Sequence, residues 1–223
     1  LERGPDHLPQ LLTLWCDLPF SADPSRPGDL PEGLAGSGGE LRFRPGSDRV
    51  TIDGEASLSF GGTVIRAEGL ELTVGGELRD LGPVRASGGA RLRIDQPDSD
   101  VDPVLAGDDL AIELRDNAVE VVRANGTPAR LQLQGQGLLV ASEVEMTTAG
   151  DTLEIRATGD VEWTGQGENV GGPRSLRAGM LERRRVAGAL EHIDAREEVE
   201  LVAGEDGEGR FSGPRVSMSW EAG

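Results

Sequence analysis

The chain has 223 residues, 40 of them acidic and 22 basic, and a formal net charge of −18. That length allows one large domain or two small ones with a real core, and that charge argues against a nucleic-acid or anionic-membrane surface, since both need basic patches. The single cysteine, Cys16, excludes an intramolecular disulfide framework and a cysteine-rich metal site.

The first forty residues differ from the rest. LPQLLTLWC (Leu8 to Cys16) is apolar but short and has no basic stretch before it, so it makes a poor signal peptide. If the protein is exported, its targeting segment is expected to have been removed or to lie outside this sequence. Pro19 to Gly39 is dense in Pro, Gly, Ser and Asp and reads as an extended linker. Residues 1–40 are therefore expected to be a lead-in, and residues 41–223 the folded domain.

From Glu40 onward the texture is steady. Leu70, Leu72 and Val74 alternate with Glu71 and Thr73, and Leu110, Ile112 and Leu114 share one face of the next such run. Leu153 to Ala157, Val161 to Trp163, Val199 to Val202 and Val216 to Trp220 continue the pattern. Period two over four to seven residues predicts half-buried strands. Asp95 to Asp109, with two prolines, is expected to be an acidic loop. Ser175 to Leu201 is the best helix candidate of the body. Gly179 and Gly188 interrupt it, each at a cost of about 1 kcal/mol to a helix, so it is read as two strands and a turn. The fold class is all-β: a sandwich, a barrel or an elongated stacked sheet.

One word recurs. Ile65 to Gly69 reads IRAEG, Val84 to Gly88 VRASG, Val122 to Gly126 VRANG and Ile155 to Gly159 IRATG. On a strand the apolar residue and the Ala share a face while the Arg points to the other. The Gly is expected to be an optional bulge point. An anion-binding array of Arg66, Arg85, Arg123 and Arg156 is one reading. Outward arginines cross-paired with Asp and Glu is the plainer one.

Two segments resemble the OstA-like family of lipopolysaccharide-transport proteins: the LptA-type periplasmic bridge, or a related LptC- or LptD N-terminal-like module. The first is Val50 to Val74, with its word Ile65-Arg66-Ala67-Glu68-Gly69-Leu70. The second is Val121 to Gly165, with Gly126-Thr127-Pro128-Ala129, then Ala141-Ser142-Glu143-Val144, then Gly159-Asp160-Val161. Glu68 stands where the family has Asp. The resemblance implies a β-jellyroll or β-taco of stacked, mostly antiparallel short strands, folded into a V whose interior holds acyl chains. It implies a periplasmic, cell-envelope protein of outer-membrane biogenesis. Its partners would be lipopolysaccharide or a similar lipid and other β-jellyroll modules of a bridge, itself included, stacked end to end. Period two places Ile65, Leu70, Leu72, Ile112, Leu114, Leu131, Leu133, Val144, Met146, Ile155, Val161 and Trp163 on the inner face, which the resemblance makes lipid-binding.

The expected function is thus non-enzymatic lipid transfer, with no cofactor, no metal and no nucleic acid. The alternative is a structural or adhesin-like β-solenoid with a closed core. A hydrolase using paired carboxylates is a third reading, but 40 acidic residues make any one pair uninformative, and the sequence has no nucleophile elbow, zinc-protease motif or phosphate loop.

Overall fold

A computed structural model describes residues 12–15, 20–21, 34–44, 48–74, 81–95, 102–134, 136–165, 173–186, 190–203 and 209–221. Among them there are fourteen strands and no helix. The chain divides into two compact units, one of residues 1–94 and 109–119, the other of residues 95–108 and 120–223.

In the first unit β1 (Leu12–Trp15), β4 (Glu40–Arg44), β5 (Arg49–Phe60), β6 (Thr63–Val74) and β7 (Leu81–Ile94) pair in that order, all antiparallel. The short strands β2 (Phe20–Ser21) and β3 (Ala35–Ser37) pair with each other, and β3 also pairs with the half of β5 that β4 does not reach. Three pieces of the expected lead-in are therefore strands of the sheet, β2 and β3 lying within the stretch read as linker. The rest of residues 1–33 lies outside the described residues.

β8 (Pro103–Arg115) has residues in both units. It takes up the second half of the expected acidic loop, because Pro103, Leu105, Leu110 and Ile112 supply alternating buried side chains. Residues 96–101 of that loop lie outside the described residues. In the second unit β9 (Ala118–Leu133, from residue 120), β10 (Gly137–Ala149), β11 (Thr152–Gly165), β12 (Ser175–Val186), β13 (Leu190–Ala203) and β14 (Gly209–Glu221) form an antiparallel meander. β12 and β13 are the two strands read from the best helix candidate.

The strands run to sixteen residues, longer than the period-two runs of the sequence. A bulge row explains the difference. Register shifts fall at Asp53/Ala56 of β5, Arg66/Gly69 of β6, Ala141/Glu143 of β10, Thr158/Val161 of β11, Arg177/Met180 of β12 and Arg196/Val199 of β13. A bulge bends a strand and moves its apolar set by one position. One bent strand therefore reads as two short ones. The recurring word runs into this row, so its Gly is where the strand bends. In β7 Gly88 and Gly89 both have positive φ, and in β11 Gly159 and Asp160 do. β5 has Gly54 and Glu55 there, and β13 has Glu197 and Glu198. Left-handed backbone costs a residue with a Cβ roughly 1–2 kcal/mol, a cost that Gly54, Gly88, Gly89 and Gly159 avoid. At Gly159 an added Cβ would stand 2.7 Å from the Ser142 hydroxyl and 2.9 Å from its Cβ.

Candidate functional site

Eleven of the twelve inner-face residues expected from the sequence are buried, and Leu114 is half-buried. Ile65, Leu70, Leu72, Ile112 and Leu114 belong to the first unit. Leu131, Leu133, Val144, Met146, Ile155, Val161 and Trp163 belong to the second. Each set lies with other buried aliphatics such as Leu58, Val84, Leu92, Leu139 and Leu181. Among the described residues the buried aromatic side chains are Phe60 and Trp163.

The outer face is charged and cross-paired. Arg123 donates to Glu145 at 2.5 Å, Arg156 lies 3.8 Å from Glu182, Arg184 3.3 Å from Glu154 and Arg177 3.0 Å from Glu162. Arg66 and Arg85 are exposed, Arg85 standing opposite Glu71 in register. The arginines of the recurring word thus point outward as period two requires. On this face Arg215 and Arg196 both donate to Asp194. Those hydrogen bonds hold its carboxyl down at a pKa of about 2. What covers Asp194 is charged side chain, so solvent screening still acts on the cluster.

The interior of the second unit carries two rows of paired residues, one on each side of the bulge row. Leu131, Leu139, Trp163, Leu176, Leu201 and Phe211 stand opposite one another in sequence across β9 to β14. The first five are buried, and Phe211 on β14 is 42% exposed, so the row opens at its end. A cleft of 630 Å³ lies over this end of β11 to β14, and its exposed lining carries charges of both signs, Glu162, Arg177, Glu200 and Arg210, beside Phe211.

The second row is Val122, Met146, Ile155, Arg183, Ile193 and Met218. Arg183 breaks it. Its side chain is 2% exposed and ion-paired with Glu191, itself 5% exposed. Its guanidinium lies 4.5 Å over the Trp163 ring, so the two rows face each other across the interior. Nη2 also donates to Gln136 Oε1 at 2.6 Å, from the turn between β9 and β10. Nη1 is buried and has no hydrogen-bond partner among the described residues. Burial pulls the Arg183 pKa down, against the opposing pull of Glu191, and a guanidinium stays charged at neutral pH.

The sequence reading missed Arg183, Glu191 and Gln136. A parity signal for two of them was present. Leu181 and Arg183 share a face of β12, as Ile193 and Glu191 share a face of β13. The run of three arginines hid it by looking like a solvated stretch.

No family model and no curated protein matches the chain. Among solved structures it is similar to LptH of Pseudomonas aeruginosa, described as the LptA-homologous periplasmic component of the conserved lipopolysaccharide transport device. The identity is 14% and the TM-score 0.48, over 66% of this chain and 94% of that one.

Proposed function

We infer that the protein is a non-enzymatic lipid-binding module of the cell envelope, a β-jellyroll or β-taco that shelters the acyl chains of lipopolysaccharide or a similar amphiphile. The observation that carries this is the two-sidedness of the strands: aliphatic inside with few aromatics, ion-paired outside. An interior for acyl chains needs that composition. Each sequestered CH₂ contributes about 0.8 kcal/mol without any directed hydrogen bond, and bulky rings would obstruct the chains. The resemblance of Val50 to Val74 and Val121 to Gly165 to the OstA-like family supports the same reading. The body, residues 41–223, is the module on this reading, and it works in the periplasm. The exposed β14, with Phe211 open at its end, is a strand to which another module, a second copy included, can add.

The test is photo-crosslinking. A photoreactive residue at Leu139, on the inner face, should capture lipid A from a detergent-solubilised mixture, and one at Val140, which points the other way, should not. Equal capture at both positions, or none at Leu139, removes the reading. A closed structural solenoid is the second reading, and the opening of the apolar row at Phe211 counts against it.

A further inference from the structure

Resting on that lipid reading, we propose that Arg183 is a recognition site for the oxyanion of an amphiphile, a carboxylate or a phosphate, whose chain lies along the Trp163 row. Three observations lead to it. Arg183 is the charged member of an otherwise apolar interior row between Ile155 and Ile193. Its Nε and Nη2 face Glu191, while on its other edge Nη2 meets only the neutral amide of Gln136 and Nη1 has no partner among the described residues. Finally, the ring beneath the guanidinium belongs to the apolar interior row that ends at the exposed Phe211.

A guanidinium presents two forks of N–H donors, each matched to a planar pair of oxygens. Glu191 occupies one fork. An oxyanion that displaces Gln136 takes the other, Nη1 and Nη2 together, and gives Nη1 the acceptor it lacks. A buried donor left unpaired is costly, so the site favours a ligand that supplies an acceptor there over one that carries only a chain. Trp163 joins the two parts of such a ligand: its face stabilises the cation and its flank meets the chain.

Competition binding on the full chain tests this. Hexadecanoate, hexadecyl phosphate and hexadecanol each displace a fluorescent acyl-chain probe. The comparison variant is Arg183→Met/Glu191→Met, which removes both charges together and leaves none buried alone; circular dichroism checks its fold. The wild type should prefer one or both anions to the alcohol by about tenfold or more, the favoured anion telling carboxylate from phosphate. The double variant should bind all three alike, and Gln136→Ala, which removes the competitor, should tighten anion binding several-fold. If the wild type binds all three alike, or the double variant keeps the preference, the oxyanion site is refuted and the acyl-chain reading stands. If none of the three displaces the probe, that reading fails and the site falls with it.

Discussion

The two units bury the same kind of strand in different ways. The first is apolar throughout its described interior, with Thr63 as the buried polar residue and Phe60 as the largest side chain. The second accepts Arg183 and Glu191 at the same depth as its leucines. An apolar interior is stabilised by area and tolerates exchange among side chains of similar volume. A buried ion pair gains little overall, because desolvation offsets the attraction, yet it punishes the loss of one partner severely. The first unit has a plain apolar interior, and the second has a fixed ion pair within its own.

The largest effect should come from splitting the pair. Arg183→Met leaves Glu191 buried with no countercharge and should cost about 3–5 kcal/mol in urea denaturation. Arg183→Met/Glu191→Met should lie within about 1–2 kcal/mol of wild type, on either side. A pair exposed to solvent would instead show a small loss in each variant. In the first unit Ile65→Ala should cost about 2–4 kcal/mol through transfer and cavity terms, and there no second substitution can restore it by removing a partner.

The bulge row offers a smaller, local test. Gly159→Ala sets a Cβ against Ser142 at a left-handed position and should cost about 2–3 kcal/mol. Gly150→Ala, in the turn before β11, also has positive φ but meets nothing within 4 Å, and should cost only about 1 kcal/mol. Equal losses would mean that the close approach at the bend contributes nothing.

The smallest effect belongs to the outer face. Asp194→Asn should cost about 0.5–1 kcal/mol near neutral pH, after screening. The sign follows from the lowered pKa. The folded carboxyl titrates near 2 against an ordinary 3.8, so its contribution is complete above about pH 4. It is lost as pH falls towards 2, where wild type and variant should converge.

Much of this architecture was legible in the sequence, because period two survives on either side of the bends in strands such as β6, β7 and β11 and fixes which face is inward. Ile65, Met146 and Trp163 fell on the inner face for that reason alone, and Arg123 and Arg156 on the outer. The bulges were half legible. The parity change after Gly69 marked one, whereas Glu197 and Glu198 mark another without any glycine, and no local rule anticipates two glutamates at positive φ. The lead-in misled in part, since Pro- and Gly-rich composition argues against long strands but leaves room for pieces such as β3. The burial of Arg183 had a parity signal, but its surroundings were illegible for a different reason. Its role depends on Trp163 and Gln136, far along the chain, and local sequence does not report which residues face each other across an interior.

The central claim is that the apolar interior takes up acyl chains. Its most direct test is titration of the purified full chain with a fluorescent acyl-chain or lipid A analogue whose emission rises on leaving water. The account predicts saturable uptake, reversed by unlabelled lipid A and weakened by charged substitutions at inner positions such as Ile155 but not at outer ones such as Thr147. Absence of uptake by the folded protein, or uptake indifferent to which face is altered, would contradict it.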